Sequence, residues 1–396
     1  MTTTRAEPGL RERLDAAIRH LAALDRSSAS PGERAAAAWI ADALRAEGAA
    51  ARVEEERAHG TYWWPLGLPS ALAAAAGLAG RRRPALLTGA FAAAAIADDV
   101  TGGRQWFRRV AMPRRRTANV VGELGDASAP RTVVLVAHHD AAHTGIVFTP
   151  RFGEVMGRRF PRLLARTDTT PPIMWPVLAG PALVALGAAL GSRRLRRTGA
   201  WMALAATAVF AEIGTRPTVP GANDNLSGVA VLLGLARRLH EQPAAGVRVL
   251  LVSTGAEESF MEGMRAFVHR HGAALRDAGA HVICVDTVGS PQLVLLEGEG
   301  MLRMREYPAA FKELVATCAA RAGVPLRRGL RFRNATDGLI ALRAGLPTAM
   351  LGSVNRFKLP DNYHWPSDVP DNVALDTVLD AVTVCEAVVQ ALAEGG

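Results

Sequence analysis

Three short runs of this chain, residues 131–138, 247–253 and 280–286, are apolar almost without interruption. A strand with one wet face alternates polar and apolar residues, whereas a strand buried on both faces does not. Helical patterns at 228–240, 311–322 and 375–393 alternate with these runs, and weaker strand patterns lie at 119–122 and 347–351. Strand–helix alternation with continuous apolar strands predicts an α/β fold. The expected form is a three-layer sandwich around a mostly parallel mixed sheet. Upstream, residues 10–47 carry a helical pattern broken around 27–31. There Ser30-Pro31-Gly32-Glu33 forms a helix start, with Pro in the first turn and Glu close behind. A short strand is expected at 51–55.

The 396 residues give room for one large domain or two ordinary ones, and 21% charged residues exclude a disordered chain. Cys284, Cys318 and Cys385 stand far apart, which rules out a disulfide framework and a thiolate metal site. The net charge is +9, and all but two of the 46 basic residues are arginine. No RNP motif, zinc finger or helix-turn-helix pattern accompanies that charge, so nucleic acid is not expected as a partner.

The mean hydropathy of +0.11 directs attention to uncharged stretches. Residues 62–80 and 173–191 are uncharged, and each is followed by an arginine cluster and a second apolar stretch, at 84–97 and 199–213. Each block reads as a helical hairpin with a basic tip. Trp63, Trp64, Trp106, Trp175 and Trp201 mark the ends, as aromatic belts do at bilayer interfaces. The second members, 14 and 15 residues long, are short of the roughly 17–25 of a spanning helix, which leaves cap helices as the competing reading. The expectation is membrane attachment, multi-pass, with the lipid bilayer as a partner. Arginine counts on the flanks and polar residues 1–20, which lack a signal-peptide pattern, lean toward a cytoplasmic catalytic side.

Five segments place metal-ligating residue types at strand ends or in the loops that follow, the edge where open α/β sheets build their sites. His138 and Asp140 end the run at 131–138, and residues i and i+2 of an extended chain point the same way. A metal ligand at His138 with Asp140 fixing its tautomer competes with an ordinary polar strand end. Asp224, in Gly-Ala-Asn-Asp-Asn, precedes a helix, where it reads equally as a cap. Glu257 and Glu258 follow an apolar strand side by side, so a cation or a proton must offset their repulsion unless both are solvated. Asp286 ends a buried strand, where an unpaired charge is costly. His364 lies in a loop between Tyr363 and Trp365. Mixed imidazole and carboxylate donors suit Zn²⁺, and two ions sharing a carboxylate are the usual hydrolytic arrangement.

The order Ala-His-x-Asp, Gly-Ala-x-Asp-Asn-x-Ser-Gly, Glu-Glu, strand-Asp and Tyr-His resembles the co-catalytic zinc aminopeptidases, the group of bacterial leucyl aminopeptidases, aminopeptidase Y and the glutamate carboxypeptidase II relatives. The resemblance covers 117–144 and 219–396, and more loosely 10–55. It implies two zinc ions per chain: one on His138 and Asp286, the other on Glu258 and His364, with Asp224 bridging. It implies Glu257 as general base, Asp140 orienting His138, a cis peptide at Asp224–Asn225 and Asp337 lining the pocket. Asn223, Met261, Glu262 and Trp365 depart from the family's pattern without removing a ligand or the base.

The resemblance implies a zinc-dependent exopeptidase acting on peptides, an aminopeptidase first. Carboxypeptidase or glutaminyl cyclase chemistry, or a non-catalytic membrane receptor, are the alternatives. The zinc peptidase domain is expected over 1–59, 117–144 and 219–396, with apolar hairpin insertions at 60–116 and 145–218. Nothing in the sequence gives the oligomeric state.

Overall fold

The computed structural model describes residues 8–395; residues 1–7, the start of the polar stretch that lacks a signal-peptide pattern, and 396 lie outside it. Helices α1 (Pro8–Ala22) and α2 (Pro31–Ala46) open the chain. Ser30 caps α2 as its sequence predicts, its Oγ accepting from the backbone N–H of Glu33 at 3.1 Å. Strand β1 (Ala50–Ala58) leads into α3 (Trp63–Ala79), α4 (Arg82–Val100) and the short α5 (Trp106–Ala111). Strands β2 (Arg115–Gly125) and β3 (Thr132–His138) follow, then α6 (Pro150–Arg159), α7 (Pro161–Arg166), α8 (Met174–Ala189) and α9 (Arg193–Thr215). The rest alternates: α10 (Ser227–Glu241), β4 (Arg248–Thr254), α11 (Glu262–Asp277) and β5 (His281–Val285). Strands β6 (Gln292–Leu295), β7 (Gly298–Glu299) and β8 (Arg305–Glu306) precede α12 (Ala309–Arg321) and β9 (Arg331–Phe332). Helix α13 (Asp337–Arg343), β10 (Thr348–Val354) and α14 (Leu375–Glu394) complete the chain.

Seven strands form the main sheet in the order β1-β2-β4-β3-β5-β10-β6. The central β4, β3, β5 and β10 are parallel, while β1, β2 and β6 run antiparallel to their neighbours. Both faces are covered. Val133, Leu135, Val249, Leu251, Ile283 and Val285 face the core shared with α1, α2, α10, α12 and α14. The intervening Val134, Val136, Leu250, Val252, Val282 and Cys284 face the core shared with α11 and α13. The period of two thus survives as alternation between two cores, which explains why the strands read as unbroken apolar runs.

The apolar stretches at 62–97 and 173–213 do not form spans. Among the described residues, no helix is long and apolar enough to cross a membrane, so the multi-pass placement expected from sequence is overturned. Helices α3, α4, α8 and α9 instead pack against one another, with small residues at the contacts. A Cβ on Gly89 would lie 2.7 Å from the backbone N of Ala185, and one on Gly199 2.6 Å from the carbonyl O of Gly180. The arginine tips have a local use: Arg82 donates to the carbonyls of Ala188 (3.1 Å) and Ala189 (3.0 Å), and Arg196 to that of Gly77 (3.2 Å). These carbonyls belong to the last turns of α8 and α3, where cations satisfy orphan acceptors and the helix dipole. The tryptophans also find partners, Trp63 with His143 and Trp106 with Phe91. The outer faces of the cluster keep apolar side chains exposed, among them Leu72, Leu87 and Trp201.

Candidate metal centre and active-site cavity

The parallel strands β3, β4 and β5 end at one edge of the sheet, and the site is assembled on that edge. His138 is the last residue of β3, Asp286 follows β5, and Glu257 and Glu258 sit between β4 and α11. Asp224 lies in the turn before α10, and His364 in the loop after β10. The structure brings all six together. Asp224 presents one carboxylate oxygen to each imidazole: Oδ1 is 3.2 Å from Nε2 of His138, and Oδ2 is 3.2 Å from Nε2 of His364. On the His138 side, Asp286 Oδ2 and Glu257 Oε2 each lie 3.9 Å from Nε2. On the His364 side, Glu258 Oε2 lies 3.2 Å from Nε2. His138, Asp224 and Asp286 form one group able to hold a metal ion, and Asp224, Glu258 and His364 form another.

This concentration of acid is electrostatically incomplete. Burial, with Asp337, Glu258 and Asp286 nearby, holds the Glu257 carboxyl well above the usual carboxylate range despite His138. Burial likewise raises Glu258 and Asp286, each with Asp224 adding to the rise. Asp224 goes the other way: burial opposes its charge, but the two imidazoles of His138 and His364 close beside it hold it down. Burial works against charge on His364 as well, yet Glu258 and Asp224 push it up to about 10. Oε1 of Glu258 is buried with no hydrogen-bond donor, and Oδ2 of Asp224 faces His364 outside hydrogen-bond geometry. Orphaned carboxylate oxygens among converging like charges fit a divalent cation. The imidazole and carboxylate donors are those zinc takes.

Asp140 is fully buried and does more than face His138, whose Nδ1 is 3.4 Å from Asp140 Oδ1 and 3.1 Å from its carbonyl. Its carboxylate accepts from the backbone N–H groups of Glu257 (3.0 Å) and Glu258 (3.1 Å) and from Ser28 Oγ (2.6 Å). One side chain therefore fixes the loop that carries both glutamates. The Asp224–Asn225 peptide is cis, as the resemblance implies. Asn223 departs from the family for a visible reason. Its Nδ2 donates to Ser290 Oγ and the Asp361 carbonyl, a role a carboxylate could not fill, while its Oδ1 accepts from Gly289 N. Glu262 is equally explained, accepting from His59 N, Gly60 N and Ser259 Oγ and facing Arg108 at 3.4 Å. Nothing in the structure explains Trp365.

Three residues that sequence reasoning did not assign also shape the site. Asp368 accepts from the backbone N–H groups of Asn223 (2.7 Å) and Asp224 (3.1 Å), holding the Asp224 turn. Arg26, fully buried, donates to the carbonyls of His139 (2.9 Å) and Pro220 (2.8 Å) and so ties the His138 and Asp224 segments together. Ser28 supports Asp140. Only Asp368 carried a signal, as the last residue of the His364 loop motif. Asp337 does not line the cavity; it is buried, with Thr254 Oγ1 bonded to its Oδ2.

A cavity of about 130 Å³ opens on the centre, lined by Glu257, Glu258 and His364 and walled by apolar side chains. Met174, Val177, Val209, Phe210 and Ile213 from α8 and α9 supply much of that wall.

Residues 207–389 match the model of Peptidase family M28. Among curated proteins, no sequence matches. Several solved structures share the fold. A zinc aminopeptidase from Bacillus subtilis aligns at TM-score 0.57 and 14% identity, covering 96% of this chain and 94% of that one. A leucine aminopeptidase precursor from Bacteroides thetaiotaomicron aligns at 0.56 and 15%, covering 96% of each. Glutaminyl cyclase from Porphyromonas gingivalis aligns at 0.55 and 17%, covering 98% of each.

Proposed function

We propose that this chain, a zinc metallopeptidase whose residues 207–389 match Peptidase family M28, is an aminopeptidase that uses Glu257 as its general base and two zinc ions held on a shared Asp224. The observation that carries this reading is the position of Asp224, one oxygen toward His138 and the other toward His364. A carboxylate between two imidazoles, each with a further carboxylate beside it, is the donor pattern of a paired site. His138 and Asp286 would hold one ion, His364 and Glu258 the other. When bound, zinc lowers the pKa of a water and polarises the scissile carbonyl.

The protein's own groups do the rest. Glu257 borders the cavity yet is largely buried, so its carboxylate meets substrate in a poorly hydrated setting. It accepts a proton from the attacking water and returns it to the leaving amine. Asp140 holds the Glu257 backbone still, so proton transfer occurs at a fixed position. Glu257, which holds neither ion in this reading, lines the cavity and offers a substrate's terminal ammonium a carboxyl partner, which supports the amino-terminal assignment. In this reading the helix pairs within 60–116 and 145–218 are additions to the peptidase domain, and the second walls the cavity. The test is elemental analysis together with hydrolysis of an aminoacyl anilide panel by wild type and Glu257→Gln. Two zinc ions per chain and hydrolysis lost only in the variant are expected; an inert wild type overturns the reading.

A further inference from the structure

Among the described residues lining the cavity, Arg333 is the only lysine or arginine. Its backbone N–H is anchored on Thr170 Oγ1 at 2.7 Å, but no ion pair within 4.0 Å joins its side chain to a described carboxylate, those of Glu257 and Glu258 included. Two other cations of this region are paired: Arg331 with Glu306 at 2.7 Å, and Lys358 near Asp168 at 3.8 Å. Arg333 thus shares a cavity with two carboxylates without touching them. Next to it, Oδ1 of Asn334 is buried with no hydrogen-bond donor, although Asn334 also lines the cavity.

The position of Arg333 is built rather than incidental. Arg331 N donates to the Asp168 carbonyl (2.8 Å), and Thr170 N to the Arg331 carbonyl (3.2 Å). These bonds pin the β9 loop to the segment that runs into Ile173 and Met174, both of which line the cavity. Arg333 and the start of the apolar wall, at Ile173 and Met174, are therefore tied together by backbone hydrogen bonds. A buried acceptor without a donor and a half-buried guanidinium without an anion, side by side in one cavity, together fit a ligand that brings an N–H and an anion.

We infer that the substrate is a short peptide, of dipeptide size, whose own C-terminal carboxylate is bound by Arg333 while its terminal ammonium lies toward Glu257 and Glu258. The inference rests on the peptidase reading for the orientation of the scissile bond. Size bounds the peptide's first residue: apolar cavities of about 150 Å³ take a molecule the size of benzene, so about 130 Å³ takes one side chain of about leucine size and not a phenylalanine. Asn334 Oδ1 then accepts from the peptide.

The test compares Leu-Gly with Leu-Gly amide, which lacks only the anion. Hydrogen bonds to a charged group are worth roughly 10- to 100-fold, so zinc-loaded wild type should favour Leu-Gly by that factor in kcat/KM. In Arg333→Gln the preference should fall to about one, and Arg333→Lys should restore part of it. Equal hydrolysis of both by wild type overturns the inference and leaves the peptidase reading standing. Should neither be hydrolysed, the peptidase reading fails. Titration calorimetry of the same two ligands then decides the inference: binding that needs both the carboxylate and Arg333 upholds it, and equal or absent binding overturns it.

Discussion

Removing the Arg108 side chain should destabilise the protein more than an average core truncation, because of what it leaves behind. Arg108 is fully buried and grips Asp99 with both arms, Nε to Oδ1 at 3.0 Å and Nη2 to Oδ2 at 2.8 Å. Its remaining arm donates to the carbonyl of Ser259, next to Glu258, and lies 3.4 Å from Glu262. Glu262 keeps His59 N, Gly60 N and Ser259 Oγ without it. Asp99 is almost wholly buried and loses both side-chain donors. In Arg108→Ala the loss therefore falls on Asp99. Breaking a buried pair from one side costs about 3–5 kcal/mol, against about 1 kcal/mol for a typical substitution.

Urea unfolding followed by far-ultraviolet dichroism and tryptophan fluorescence measures the difference. The double variant Arg108→Met, Asp99→Leu separates an orphaned charge from lost packing. Replacing both partners with apolar groups is often close to neutral, so more than half of the stability should return. An Arg108→Ala protein within about 0.5 kcal/mol of wild type, the usual range of a surface change, would refute the reasoning. So would a double variant no more stable than the single one.

Glu257→Gln should keep the fold and the bound zinc but lose about 10²–10⁴-fold in kcat, since it removes proton acceptance and little else; near-normal turnover would sink the role given to Glu257. Asp224→Ala should lower zinc content more than any other single ligand change, which elemental analysis of the purified variants will show. Glu299, whose carboxylate accepts from Tyr307 Oη at 2.7 Å, is pushed by burial up to about 7. Between its ordinary value of 4.5 and about 7 the folded protein holds a proton the unfolded chain has lost, so stability falls as pH rises through that window. Glu299→Gln removes this effect, and its urea-stability advantage over wild type should grow by about 2 kcal/mol from pH 5 to pH 8.

The sheet and the residues that converge at its edge were legible because both are written locally. A strand such as Val134-Leu135-Val136 buried on two faces has no polar position to mistake, and His138, Glu257 and Asp286 stand where such strands end. What joins the segments was not legible. Arg26 gathers carbonyls from segments far apart in the chain, and Asp368 holds two N–H groups of the Asp224 turn. No periodicity announces an acceptor whose partner is a distant backbone atom. Glu262 looked like a departure because its partners, His59 and Arg108, lie on other elements.

The helix cluster misled for a physical reason that also gives it a use. A helix rich in alanine and glycine can face lipid or other helices of the same kind, and its hydropathy is the same in both settings. The difference lies in where the small residues fall. Gly89 and Gly199 sit at backbone contacts too close for any Cβ, and Arg82 and Arg196 cap the carbonyls of neighbouring helices. That packing fixes α9 along its length, and α9 ends in Phe210 and Ile213, which belong both to the sheet's second core and to the cavity wall. Gly145 adds a constraint there, since a Cβ on it would come within 2.7 Å of Ile213. One wall of the cavity is therefore set from outside the sheet, by helices packed through close glycine contacts. A bulky residue at Gly199 should act at a distance, shifting α9 and changing which side chains the cavity admits while leaving Asp224 and its two imidazoles in place.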